Sequence, residues 1–410
     1  MLLVVENSSV PADQRVWSEA LSLSNAGFEV EVICPQGEAG HDEELIEVCS
    51  GISIFRYPSR PSDGSLRGYL REYGTAIVQV RRLARQQTRS RRFDVIHAAN
   101  PPDVLLPALA PFKLSGTRFI FDQHDLAPEL YATRFGQRGL VHAVLRLAEA
   151  LSFALADVVL STNDSFSRIA LGRGRKRPSN VFVVRNGPVP AEFANAQADP
   201  LLKQGRPHLL TFVGLIEPQD GVELAVDALA ILREMRKDWR ALFVGDGGAL
   251  EAVKALAWEV GLQDHVEFTG FVNDRERIAQ ILATSDVSLS PEPKNAFNDP
   301  STLIKVAESM AAGTPVVAFD LTETRITAGK AAAYAAPNDP RDFADAINRL
   351  LDDPVRRVRM GAVGRARIAR TLSWDHSKNA LLRAYSHLIP NHRPSDAGSS
   401  TTPFGQETRA

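Results

Sequence analysis

The sequence predicts an α/β protein of two doubly wound parallel sheets, and three observations predict it. Short apolar runs rich in Val, Ile and Phe alternate with longer helical patterns, the alternation occurs twice, and a Pro-rich stretch without periodicity divides the two series. Strands separated by helices pair in parallel through crossover connections. The 410 residues suffice for about two or three domains at roughly 150 residues each, and either half can bury its own core.

In the first half the strand-like runs start at Leu2, Phe28, Ile52, Phe93, Arg118, Asp157 and Val181. Each is β-branched or aromatic and ends in polar or turn residues. A helical pattern carries Val16, Ala20 and Leu23 on one face and stops at Gly27. The apolar region from Gly139 to Leu160 is interrupted by His142, Arg146, Glu149 and Asp157. It reads as a helix followed by a short strand. In the second half the runs start at His208, Arg240, His265, Asp286 and Thr314, with helical patterns at Val222 to Arg236 and Ala249 to Val260. The expected division is a first domain over 1–187, a linker over 188–206, a second domain over 207–373, a further helix over 374–390 and a disordered tail over 391–410. The tail is poor in apolar residues and rich in Ser, Thr, Gly and Pro. Ligands of such sheets bind at the carboxyl ends of the strands, so two facing sheets would place a site in a cleft.

Composition narrows the function classes. Apolar residues are 44% and charged residues 23%, and 47 Lys plus Arg against 49 Asp plus Glu leave a net charge of −2. A dedicated nucleic-acid binder is usually basic, so nucleic acid is not an expected partner. Cys34 and Cys49 lie in no CxxC or Cys/His pattern, which argues against structural zinc and for a reducing compartment. The opening MLLVVENSSV lacks the basic region of a signal peptide, and no run of about 18 uncharged apolar residues occurs. The expected location is cytoplasmic. A basic amphipathic stretch runs from Arg67 to Arg92, with Leu70, Ile77, Val80 and Leu83 interleaved among eight arginines and one acid, Glu72. It reads as a solvated arginine face or as contact with an anionic membrane surface.

The segment from Ser288 to Asp320, SLSPEPKNAFNDPSTLIKVAESMAAGTPVVAFD, carries the most chemistry. A strand ends at Ser290, a polar loop follows, and a helix is expected to start near Ser301 or Thr302 and stop at Gly313. Asp299 and Ser301 are capping-type residues. The amides of a helix start favour an anion, and Lys305, one turn in, adds a full charge. Taken alone, Lys305 and Glu308 also fit a surface ion pair. VGDGGAL lacks the dinucleotide Gly-x-Gly-x-x-Gly spacing and reads as a tight turn.

This segment resembles the C-terminal signature of retaining nucleotide-sugar glycosyltransferases of family 4, which have the GT-B fold. Glu308 matches the second of two glutamates eight positions apart, and SMAAGTPVVAFD matches the run that follows. Val184-Arg-Asn-Gly-Pro, Phe212-Val-Gly, Phe243-Val-Gly-Asp-Gly, Phe268-Thr-Gly-Phe and Phe121-Asp-Gln-His-Asp agree in order over about residues 1 to 388. The resemblance implies a nucleotide diphosphate sugar as donor, a hydroxyl acceptor that is lipid-linked or a polysaccharide precursor, retention of anomeric configuration, and no metal or other cofactor. It implies that Glu308 holds the ribose hydroxyls, that Ser301, Thr302, Leu303 and Ile304 cradle the diphosphate, and that Asn186, Gly214 and Gly245 border the donor. His124 would reach the donor sugar or its phosphate, or else bond a backbone carbonyl at its strand end. Asp125 and Glu129 would orient it or cap the next turn. Asp13 and Arg15 would contact acceptor or pyrophosphate, or begin a helix. The last helices would cross back to brace the first domain.

Three departures from the family pattern follow. Pro300 stands where the first glutamate falls, and Asp299 is the nearest acid. Leu215 and Asp220 stand where Arg and Lys are often found. A leaving diphosphate needs positive charge, so Lys305, with Lys294 or Arg185, would supply it. A sugar-nucleotide epimerase of the same fold and a non-catalytic partner subunit are the alternative readings.

Overall fold

The computed structural model describes residues 1–37, 44–59, 66–88, 92–136 and 139–390. The expected disorder of 391–410 lies outside them, as do Arg89 and Arg91. The chain divides into two compact units. One is Met1–Ala132 with Gln137–Val184 and Ser377 onward, and the other is Thr133–Gly136 with Arg185–His376. Residues 188–206, expected as a linker, belong to the second unit and form the helix Pro190–Ala194 and a 3₁₀ turn at Pro200–Lys203. Pro at the first helical turn and an Asp199 cap, Oδ1 to the Leu201 amide at 3.1 Å, supply that order.

The first unit holds β1 Leu2–Val4, β2 Glu31–Pro35, β3 Ile46–Cys49, β4 Ile52–Tyr57, β5 Val95–Ala99, β6 Arg118–Gln123, β7 Val158–Ser161 and β8 Val181–Val183. They form one sheet in the order β3-β4-β2-β1-β5-β6-β7-β8, parallel except for the antiparallel pair β3 and β4. The edge strand β3 has no counterpart among the expected runs. Its four residues alternate between exposed and half-buried, so no apolar run marks it. The switch of direction lies between β1 and β5.

The second unit holds β9 His208–Val213, β10 Trp239–Val244, β11 Val266–Gly270, β12 Val287–Ser290, β13 Val316–Phe319 and β14 Ala332–Ala335. This sheet is parallel throughout, in the order β11-β10-β9-β12-β13-β14, with its switch between β9 and β12. β14, AAYA, was not expected either, because alanine carries little β propensity. Its pairing with β13 over four residues creates the strand. Leu210, Phe212, Trp239, Phe243, Phe319 and Phe343 are fully buried in this unit's core.

The helix Leu66–Gln87 turns Ala76, Val80 and Ala84 into the first unit's core and leaves Arg67, Arg71, Arg82 and Arg85 exposed. Ala76, Val80 and Ala84 are thus used in packing within the unit. Among the described residues no helix is long and apolar enough to cross a membrane.

The helix Ile304–Ala312 lies against the helix Pro354–Arg367, where two glycines permit close approach. A Cβ on Gly361 would fall within the carbonyl oxygen of Gly313, and one on Gly364 would meet Met310 at 3.2 Å. This contact fixes the helix that carries Lys305 and Glu308. Gly361→Ala is expected to cost about 1–3 kcal/mol through overpacking against backbone. An unchanged midpoint in a chemical denaturation curve would contradict the close approach.

Candidate functional site

The second sheet's switch point brings the end of β9 beside the end of β12. Gly214 follows β9, and Glu292 follows β12 by two residues. Between them lies Lys305, buried, in the first turn of the helix Ile304–Ala312. Its Nζ is 2.6 Å from Glu292 Oε1 and 3.5 Å from Asp220 Oδ1, and 4.3 Å from the centre of the Phe212 ring. Ser290 Oγ donates to Glu292 Oε2 at 2.5 Å and steadies it. Burial opposes the lysine charge, but Glu292 and then Asp220 outweigh it and hold Lys305 above the ordinary lysine value. Burial pushes Asp220 up, with Lys305 opposing. A Cβ on Gly214 would stand 2.8 Å from Lys305 Cε, so glycine at this position makes room for the lysine stem.

The helix start departs from the expectation. It begins at Ile304, after Leu303, whose side chain supplies no cap. Neither Ser301 nor Asp299 caps it. Ser301 Oγ donates to the Phe297 carbonyl at 2.5 Å. Asp299 accepts from the Thr322 amide at 2.8 Å and from Thr322 Oγ1 at 2.9 Å, with Lys294 Nζ 3.4 Å away. Asp299 thus ties the loop to the start of the next helix. Thr302 and Leu303 are half-buried and Ile304 is exposed. The first-turn amides lack a side-chain cap and lie beside a buried ammonium, a combination that suits an anion.

Lys305 and Glu308 are not a surface pair. One turn beyond Lys305, Glu308 is buried and accepts from Arg275 Nη2 at 2.7 Å, and the same nitrogen reaches Glu192 Oε2 at 2.9 Å. Burial raises Glu308, against the pull of Arg275. Arg275 and Glu192 were not singled out in the sequence, since they lie 33 and 116 residues from Glu308. Gly245 donates its amide to the Gly270 carbonyl at 3.0 Å and lies against the Gly214 carbonyl. Asn186 is half-buried in the turn after β8. Arg185 approaches the buried Glu323 at 3.9 Å.

The first unit gathers a second polar group at its strand ends. His124, directly after β6, has Nε2 2.5 Å from Asp122 Oδ2. Arg15 is buried and gives Nη2 to Asp122 Oδ1 at 2.7 Å, Nη1 to the Val184 carbonyl at 2.7 Å, and approaches Glu19 at 3.3 Å and His124 Nε2 at 2.8 Å. Arg15 is therefore committed to the interior, and Asp13 caps its helix by accepting from the Val16 amide at 3.0 Å. Neither is placed as an open acceptor contact. Among the described residues the His124 ring bonds no backbone carbonyl, and its Nε2 meets Asp122 and Arg15. Its amide donates to Asn100 Oδ1 at 2.7 Å, and Asn100 Nδ2 donates to the Asp125 carbonyl at 2.9 Å. Glu129 pairs with Arg173 instead of orienting His124.

Burial works against the Asp122 charge, but Arg15 and His124 hold that carboxyl well below its usual range, whereas burial and then Asp122 push Glu19 well above it. Arg15 thus pairs most closely with Asp122, at 2.7 Å, and lies 3.3 Å from Glu19, whose carboxyl is pushed the opposite way. Glu19, His97 and Asp122 are also the group, among the described residues, whose ligand atoms would fit around a metal ion. Arg15 already lies against both carboxylates, which favours the ion-pair reading.

Two family models match the chain, "Glycosyl transferase 4-like domain" over residues 12–187 and "Glycosyl transferases group 1" over residues 207–353. The chain belongs to the group 1 glycosyl transferases. It is 32% identical over 210 residues to 2-deoxystreptamine glucosyltransferase of Streptomyces kanamyceticus, an alignment covering 50% of this chain and 53% of the relative. The matched stretch thus spans about half the length of that relative. The fold is similar to sucrose-phosphate synthase of Thermosynechococcus elongatus, with a TM-score of 0.79 at 19% identity over 95% of this chain and 98% of that one. It is also similar to Anabaena HepE solved with UDP-glucose, with a TM-score of 0.68 at 18% identity over 94% and 99%. The two parallel-sheet α/β units of this group 1 chain are those of the GT-B fold.

Glu6, two residues past β1, is buried with Oε1 unpartnered. Burial, then the charge of Glu72, pushes its carboxyl up to about 8. The unfolded chain ionises Glu6 near its ordinary value while the folded chain does not. This group's contribution to stability is therefore complete below about pH 4.5 and is lost as pH rises to about 8. Glu6→Gln is expected to flatten that part of the stability–pH curve in urea unfolding. An unaltered slope between pH 5 and 8 would contradict the assignment.

Proposed function

We propose that this chain transfers a sugar from a nucleotide diphosphate sugar to a hydroxyl acceptor, with retention of anomeric configuration. The carrying observation is the second unit's switch point. A buried ammonium, Lys305, and uncapped helix amides lie one turn from a buried carboxylate, Glu308. The ammonium and amides suit a diphosphate. A carboxylate accepts from two neighbouring hydroxyls, as a ribose presents. The Arg275–Glu308 pair would open as ribose takes the carboxylate. HepE, solved with UDP-glucose, supports a donor of this class.

In this reading the diphosphate leaves against Lys305 and the helix start, which stabilise developing charge, without a metal. The departing phosphate oxygen takes the acceptor proton on the face it vacates, so no protein nucleophile is required. This accords with Pro300 in place of a carboxylate and with Asp299 held by Thr322. The first unit presents the acceptor at its strand ends beside His124. A lipid-linked acceptor would bring the exposed arginines of Leu66–Gln87 near an anionic surface by charge alone, consistent with work at the cytoplasmic face of a membrane.

One observation favours the non-catalytic reading. Two carboxylates, Glu292 and Asp220, face the single ammonium, so the local charge is unfavourable to a diphosphate. Asp220 is the removable part of that opposition. Thermal shift with UDP, GDP and ADP tests both readings, since ligand at about 100 times Kd stabilises by roughly 2.7 kcal/mol. One nucleotide should raise the wild-type midpoint, Glu308→Ala should abolish the shift, and Asp220→Asn should tighten binding by about tenfold, ~1.4 kcal/mol. No shift with any nucleotide, in wild type and Asp220→Asn alike, would overturn the transfer reading.

A further inference from the structure

The C-terminal helix Trp374–Leu388 enters the first unit from Ser377 onward and buries Tyr385 completely. The phenol does more than fill space. Its oxygen is 2.8 Å from His97 Nδ1, across 288 positions of sequence. His97 is buried on β5, and burial lowers its pKa, so the ring is neutral at neutral pH and carries one proton. Tyr385 itself stays protonated, since burial raises it well above the usual phenol value. A phenol that donates to Nδ1 puts the imidazole proton on Nε2. That nitrogen faces Asp122 Oδ2 at 3.4 Å and Glu19 Oε2 at 3.6 Å, contacts that are electrostatic and longer than a full hydrogen bond. Asp122 Oδ2 is the same oxygen that stands 2.5 Å from His124 Nε2.

We propose that Tyr385 and His97 are positioning residues for His124. Tyr385 fixes the His97 tautomer, His97 directs a proton at Asp122 Oδ2, and Asp122, held at both oxygens by Arg15, sets the His124 ring. The inference rests on the transfer reading for the role of His124, but the linkage itself does not. The charged and titratable groups around it are Asp13, Arg15 and Glu19 on the first helix side, His97 on β5, Asp122 on β6 and Tyr385 on the C-terminal helix. Oriented partners of this kind act by holding a functional ring in one tautomer and direction.

Tyr385→Phe removes one oxygen and keeps the packing. Loss of a single such hydrogen bond corresponds to about two- to tenfold. We expect kcat to fall by that factor, with KM for the donor within about twofold. In ¹⁵N-histidine-labelled protein the low-field proton resonance of the Asp122–His124 contact, assigned through its loss in His124→Asn, should move or broaden. His97→Gln, whose amide can accept from Tyr385 and donate towards Asp122, should recover much of the kcat that His97→Ala loses. A Tyr385→Phe protein with a lower melting point but an unchanged resonance and kcat would overturn the proposal and leave Tyr385 a packing residue. If no donor supports transfer by the wild type, the resonance still decides. Its movement upholds the linkage while the transfer reading fails, and its constancy overturns the linkage.

Discussion

The second unit is organised around one buried positive charge. Lys305 can be ionised in the interior only because Glu292 and Asp220 face it and the Phe212 ring lies beneath it. A lone buried ammonium would cost several kcal/mol. That requirement sets much of the local structure. Gly214 leaves room for the lysine stem, the loop after β12 delivers Glu292, and the turn before Val222 delivers Asp220. The helix that carries the lysine is in turn held by the glycines of Pro354–Arg367. In the proposed transfer a diphosphate would need that same charge, so the arrangement that makes Lys305 tolerable also limits how strongly it can bind an anion.

The first unit solves a similar problem with a different result. Arg15 is buried together with Asp122, Glu19 and His97, beside the half-buried His124, and the carboxyls of Asp122 and Glu19 are pushed in opposite directions. The outcome is a balanced cluster that holds His124 at the end of β6. The C-terminal helix completes this cluster through Tyr385, which gives the return of the chain a chemical role at the strand ends in addition to its packing.

Much of this was legible in sequence because it is local. Alternating β-branched runs and helical faces mark most strands, and the run around Glu308 carries the family resemblance on which the proposed donor side rests. What was not legible depends on partners far away in the chain. Asp299 and Ser301 have the side chains of caps, yet Asp299 goes to Thr322, 23 residues on, and Ser301 turns back to Phe297, so the helix starts later, at Ile304. Arg15 reads equally well as an exposed contact or a helix residue until Asp122, 107 residues on, is placed beside it. Glu292 sits in a Pro-rich loop whose spacing says nothing about Lys305. β14, three alanines and Tyr334, is made a strand by its pairing with β13. Each case is a tertiary contact overriding a local preference.

The most direct test of the central claim is a crystal structure of the protein with a nucleotide diphosphate sugar bound. The ribose hydroxyls are expected on Glu308 with Arg275 displaced, and the diphosphate at the start of Ile304–Ala312 within hydrogen-bond reach of Lys305. A nucleotide bound elsewhere, with the Arg275–Glu308 pair intact, would contradict it.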